Sequence, residues 1–236
     1  TGDFGGFTGT YVHDTTSNST VVNHTSSLSR RAAYHIASAQ GSQQGLLTNV
    51  TSGNPVFELG ALSGVTNSLL RNGGSVTGNT TLRIGHLHTD TTFAGTIGGG
   101  GGTLALTKVG NGTLTLSGPC TYTGATRVES GNLRVLGSLA GGSAVEVLPG
   151  AAFSGTGSAD GVVTIDAGGV LAPGDGAGGT LTLSGTLNLA DGAVIEMGIG
   201  TTSSALALGG APVSSGITTL NFTALDGFGT GTYPLI

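Results

Sequence analysis

The 236-residue chain has no tryptophan, one cysteine, one methionine and six prolines, and only 8% of its residues are charged. A lone cysteine excludes an internal disulfide and a cysteine-rich zinc site, and leaves open only a bond to another chain. Seven Lys and Arg against twelve Asp and Glu give a net charge of -5, with the bases scattered along the whole length. That distribution lacks the footprint of a nucleic-acid or anionic-membrane binder. No run of about 18 apolar residues exists to span a bilayer as a helix. Helical patterning is also missing. Apolar residues are not sustained at i, i+3, i+4 and i+7, and glycine recurs too often for helix interiors, where each costs roughly 1 kcal/mol relative to alanine. Aromatics, at 5%, are too few for a sandwich core about 10 Å thick. The opening "TGDFGG" has neither an initiator Met nor a charged-then-apolar leader, which fits a mature or excised piece of something longer.

What the chain does have is 47 glycines and a 37% hydrophobic fraction. That hydrophobic content with so little charge argues for a folded chain, and the absence of a Gly-X-Y period with abundant proline excludes collagen. Short alternations dominate: "TLALT" at 103–107, "TLTLS" at 113–117, "LRVLG" at 133–137, "AVEVL" at 144–148, "VVTID" at 162–166, "TLTLS" at 180–184, "TLNLA" at 186–190, "AVIEM" at 193–197 and "ALALG" at 205–209. Each reads as a short strand with one buried face. Between them lie turn formers such as "GNG", "ESGN", "LPGA" and "GDGAGG", which supply positive φ or local side-chain hydrogen bonds. Strands begin every seven to twelve residues, and "GTLTLSG" occurs at 112–118 and again at 179–185. A small unit repeated without helices points to an all-β parallel β-helix, a β-solenoid. Its core of Leu, Val, Ile and Ala would stack on its own copies. At about 20 to 25 residues per coil, the length predicts roughly ten coils and a rod of about 50 Å. Periodicity alone leaves the handedness open, although the irregular spacing disfavours the strict hexapeptide left-handed kind.

A single solenoid is expected over 1–236, with less regular coils over 1–102 and repeat-type coils over 103–236. In the first part, "DFGGFTGTYVHD" begins like a strand, while "VFELGALSG" and "NTTLRIGHLHTDTTFAGTI" read as strand, turn, strand. "GGGGG" at 98–102 marks a turn or short linker. "SLSRRAAYHIASAQ" at 27–40 could be argued as a helix, but Tyr34 and Ile36 alternate as in a strand, which is the reading preferred here. The closing "GTYPLI" also looks strand-like.

Residues 106–135, "LTKVGNGTLTLSGPCTYTGATRVESGNLRV", resemble the passenger-associated β-strand repeat of bacterial autotransporters and related secreted surface proteins. Lys108, Gly110, Gly112, Leu114, Leu116 and Gly118 fit the first half of that motif. Tyr122, Gly124, Thr126, Val128, Gly131 and Leu133 fit the second. Cys120 departs from it, standing where the pattern has Asn. Looser similarity extends over 55–236. The resemblance implies a right-handed parallel β-helix, export through the inner membrane and a role at the bacterial cell surface. No β-barrel translocator is present in this chain.

Five features bear on chemistry. Cys120 lacks a flanking signature for a nucleophile and is read as a small buried or turn residue in preference to an intermolecular disulfide or a catalyst. "HLH" at 86–88 would place His86 and His88 on one face of a strand about 7 Å apart, with Asp90 as the best third ligand for zinc. Exposed polar positions are the simpler account. Asp160, Asp166, Asp175 and Asp191 occur once per turn at varying spacing, unlike the strict nonapeptide of calcium β-rolls, so turn chemistry explains them better. Six sequons, at Asn18, Asn23, Asn49, Asn79, Asn111 and Asn221, are what an Asn-, Thr- and Ser-rich chain produces by chance. No clustered carboxylates suggest a lyase or hydrolase. No catalytic, cofactor or metal residue is therefore nominated, and no cofactor is expected.

Two functions from different classes follow. The first is a non-enzymatic structural or adhesive segment of an extracellular bacterial β-solenoid, self-associating end to end or by strand exchange, because no capping helix is predicted at either terminus. The second is a carbohydrate-binding or carbohydrate-cleaving β-helix whose partners are surface glycans. Against that second reading, Tyr11, Tyr34, Tyr122 and Tyr233 are too scattered to form a stacking platform. Neither nucleic acid nor membrane insertion is expected of this segment.

Overall fold

The computed structural model describes residues 6–14, 20–22, 28–37, 45–50, 53–140, 142–227 and 229. Among these residues the regular structure is 27 strands and no helix. The strands form three parallel sheets of ten, nine and eight strands, stacked as a β-solenoid. Sheet A holds Thr10–His13, Ala33–Ile36, Ala61–Gly64, Thr91–Phe93, Thr113–Leu116, Gly131–Val135, Ala151–Gly155, Val170–Pro173, Val194–Ile199 and Thr219–Ala224. Sheet B runs from Thr20–Val22 to Ser204–Leu208, and sheet C from Val56–Leu59 to Val213–Ser214. From Val56 onward the chain visits C, then A, then B in each coil. Ten strands at about 4.8 Å make sheet A roughly 43 Å long.

The alternations noted in the sequence all centre on strands, and every second residue points inward, whereas Leu136 and Val162, just outside their strands, are exposed. In sheet A, Leu114, Leu133, Phe153 and Leu171 stand on one another in register, and none is more than 1% exposed. Burying each such side chain stabilises the fold by about 1.5–3 kcal/mol. Tyr34 and Ile36 likewise point inward from the strand Ala33–Ile36, so the strand reading of this segment holds over the helical one. "VFELGALSG" is indeed strand, turn, strand, but Val56–Leu59 and Ala61–Gly64 belong to different sheets. The glycine run at 98–102 is a turn inside the stack. A Cβ on Gly100 would lie 2.0 Å from the Asn72 carbonyl oxygen, and one on Gly101 2.2 Å from that of Val76.

Coil length varies more widely than 20 to 25 residues. The step from Phe153 to its partner Leu171 is 18 residues (171 − 153), and that from Gly64 to Phe93 is 29 (93 − 64). Turns absorb the difference. The two copies of "GTLTLSG" therefore fall out of phase: Thr113–Leu116 is in sheet A, whereas Gly179–Leu183 is in sheet B. The heptapeptide is a recurrent strand, and the coil is a separate and less regular period.

The corner from sheet A to sheet B explains part of the glycine content. A Cβ on Gly118 would lie 2.0 Å from the Gly95 carbonyl oxygen, one on Gly137 2.2 Å from that of Gly118, and one on Gly157 2.1 Å from that of Gly137. These coils turn the corner with their backbone directly against the previous coil, and no side chain fits between them.

At the C-terminal end the interior columns become exposed. Leu220 stands on Ile195 and Phe222 on Met197, and they are 43% and 46% exposed. All six residues of Thr219–Ala224 are exposed. The expected strand at "GTYPLI", residues 231–236, lies outside the described residues.

Candidate functional surfaces

Residues 106–135 form more than one full coil. They leave sheet C at the end of Thr103–Lys108, cross sheet A at Thr113–Leu116 and touch sheet B at Pro119–Cys120. They then return to C at Thr126–Val128 and to A at Gly131–Val135. Leu114, Leu116, Val128 and Leu133 face the core.

So does Lys108, which is 1% exposed and stands in register between Ile84 and Val128. Its Nζ donates to the carbonyl oxygens of Val109 (2.8 Å), Gly110 (2.7 Å) and Ser130 (3.1 Å). Three protons meet three acceptors, which is what allows an ammonium to be buried. Burial pushes its pKa down to about 8, partly opposed by the Asp90 carboxylate. A second buried network begins at Tyr122, whose hydroxyl lies 2.7 Å from Thr126 Oγ1. Thr126 Oγ1 is 3.0 Å from Ser143 Oγ, and Ser143 donates to the Gly124 carbonyl at 2.7 Å. Burial raises the Tyr122 pKa far above that of a free phenol.

Residues 106–135 match the passenger-associated-transport-repeat. The repeat and the three parallel sheets together fit the passenger repeat proteins of bacterial autotransporters. No curated protein matches the chain. The geometry explains the residue types of the repeat. Its lysine satisfies three turn carbonyls, its Tyr and Thr close a buried hydroxyl chain, and its glycines sit where backbone meets backbone. Gly110 and Gly131 have φ of 71° and 67°, and a Cβ on Gly110 would lie 2.0 Å from the Gly85 carbonyl oxygen. Cys120, read from sequence as a small buried or turn residue, is the buried alternative, a core residue of the two-residue strand Pro119–Cys120. It lies in register between Ile97 and Leu139, is 1% exposed, and its thiol is pushed up to about 12 by burial. A thiol so placed is neither a nucleophile nor within reach of another chain.

The strand placement of His86 and His88 is corrected. The strand Asn79–Ile84 stops before Gly85 (φ 119°), residues 86 and 87 form a turn, and His88 has φ 58°. His86 Nε2 contacts the Glu58 carboxylate. His88 Nδ1 accepts the Asn111 backbone N–H at 3.1 Å, and Asp90 Oδ1 accepts that of Thr113 at 2.7 Å. These groups tie neighbouring coils together. Among the described residues no three His, Cys, Asp or Glu converge as metal ligands.

The acidic turns hold backbone N–H groups within the turn or on the next coil. Asp175 Oδ1 accepts from the Ala177 N–H at 3.0 Å, Asp191 Oδ1 from the Ile217 N–H at 2.8 Å, and the Asp166 carbonyl from the Gly169 N–H at 2.8 Å. Asp160 is exposed. On the outer face of sheet C, Arg83 Nη2 meets Glu129 Oε2 at 2.6 Å and Arg83 Nε lies 3.9 Å from Glu58. Arg127 lies 3.6 Å from Glu129 and also pairs with Glu146. Of the tyrosines, Tyr34 and Tyr122 are interior, Tyr11 packs against Tyr34 with centroids 6.0 Å apart, and Tyr233 lies outside the described residues. Asn79, Asn111 and Asn221 are exposed and Asn49 is half-buried, while Asn18 and Asn23 lie outside the described residues.

Sequence reasoning missed one concave surface. A trough of about 300 Å³ crosses the outer face of sheet A between Asn132, Arg134 and Ser154 at one end and Thr223 and Leu225 at the other. Its lining includes Ala172, Gly174 and Gly198, flanked by Asp175 and Glu196. Arg134 and Glu196 are 62 residues apart in sequence (196 − 134), so no local motif could announce them.

Proposed function

We propose that the chain is a non-enzymatic structural segment of the passenger of a secreted bacterial surface protein, working outside the cell by stacking, and that its C-terminal end binds the N-terminal end of a second copy. The supporting observation is the terminal strand Thr219–Ala224, whose Leu220 and Phe222 continue interior columns yet remain 43% and 46% exposed. Among the described residues no strand lies beyond it in sheet A, and an edge that carries core side chains is a template for a further parallel strand. At the opposite end of sheet A, Thr10–His13 presents Tyr11 and the buried His13 on the inward face. Head-to-tail contact of this kind does not close and so propagates a filament.

Sedimentation and negative-stain microscopy of the purified chain over a range of concentrations test this reading. Rods longer than a single subunit are expected, growing with concentration, and Phe222→Lys should return the chain to single subunits. A wild-type chain that stays strictly monomeric at high concentration would overturn the proposal.

A further inference from the structure

We infer that the trough on sheet A is a binding site for a neutral glycan chain lying across the strands. Its residues come from five successive coils, Gly131–Val135 to Thr219–Ala224, so it is about 19 Å long in the axial direction. That length suits an oligosaccharide better than a single sugar. The depth arises because the outward positions in the middle of the trough carry Ala172 and Gly198, while larger side chains stand on either side.

The chemistry of the walls selects the ligand. Arg134 Nε is buried and has no hydrogen-bond partner among the described residues. Its Nη2 reaches the Asp175 carbonyl at 3.3 Å and lies 3.9 Å from Asp175 Oδ2. A buried donor left without an acceptor is costly and points to a group that arrives from outside. Glu196 makes no ion pair among the described residues, and its carboxylate adds acceptors on the far side. Asn132 and Ser154 are already joined at 2.9 Å and form the polar end wall. One guanidinium against two carboxylates gives the trough a net negative charge, which disfavours phosphate, sulfate or uronate ligands. Vicinal hydroxyls, which both donate and accept, match the mixed set, and Leu225 offers apolar contact to the C–H face of a sugar ring.

The site does not depend on end-to-end stacking, and the two proposals fail separately when binding is measured at concentrations where the chain is monomeric. Isothermal titration of the purified chain with neutral tetrasaccharides of gluco, manno, galacto and N-acetylglucosamine configuration should give at least one ligand with a Kd of about 1 mM or tighter. Arg134→Gln should weaken that binding by about tenfold or more. Ala172→Leu, which only adds bulk on the outer face, should do the same while leaving the circular dichroism unchanged. Thr92→Leu, elsewhere on that face, should have no effect. Absence of binding across the panel, tighter binding of sulfated or uronate-containing chains, or binding indifferent to Arg134→Gln and Ala172→Leu would each overturn the assignment.

Discussion

Lys108 stands directly on Ile84, its register partner one coil earlier, inside a column that continues through Val128. An ammonium thus occupies a position that the neighbouring coils give to aliphatic residues, and three carbonyl oxygens from two turns hold it there. Two coils are joined through that one nitrogen, since Val109 and Gly110 belong to one turn and Ser130 to the next.

Lys108→Met should therefore cost about 3 kcal/mol or more, because it keeps the volume but leaves buried carbonyls without a donor. The pH dependence has a definite sign. The folded pKa is about 8 and the ordinary value 10.5, so between these limits the unfolded chain binds more protons than the folded one. Lys108's contribution to stability must then rise with pH through that window, by no more than about 3 kcal/mol. Urea unfolding of the wild type and Lys108→Met at pH 7, 8, 9 and 10 measures this. The gap between the two should widen toward pH 10; a gap that narrows would mean that the carbonyls hold the proton against desolvation.

Where Gly118, Gly137 and Gly157 turn the A-to-B corner, no side chain fits. Gly118→Ala or Gly137→Ala would place a methyl 2.0 or 2.2 Å from the previous coil's carbonyl oxygen, and either should cost about 2–3 kcal/mol or prevent folding. Gly74→Ala, where an added Cβ meets nothing within 4 Å, should be neutral or gain up to about 1 kcal/mol through the unfolded state. Equal unfolding midpoints for Gly118→Ala and Gly74→Ala would refute the packing argument.

Cys120 should resist a thiol reagent in the folded protein and react fully in denaturant, since its thiol is buried and pushed up to about 12. Cys120→Val should change stability by less than about 1.5 kcal/mol, as a small apolar replacement among Ile97 and Leu139. Rapid labelling of the native chain would contradict the core placement.

The parallel sheets were legible because alternation reports a buried face wherever it occurs, as in "TLALT" and "AVEVL". The repeat was legible because its lysine, glycines and leucines form a long fixed pattern. Other features were hidden for identifiable reasons. In the sequence Lys108 reads as one more scattered cation, because its acceptors are backbone carbonyls, which no sequence displays. The alternation of His86 and His88 suggests a strand that Gly85 in fact ends, and that glycine is the available signal. Arg83 and Glu129, 46 residues apart, meet only because two intervening turns have particular lengths, and the same is true of Arg134 and Asp175.

The duplicate "GTLTLSG" places one string of seven letters on two different walls of the same tube. Identity of such a segment therefore says nothing about its address. An alignment built on matching strands can slide by a third of a revolution without any mismatch to reveal it. Only the corners, with their crowded glycines and the lysine-clasped turn, mark where one revolution ends and the next begins.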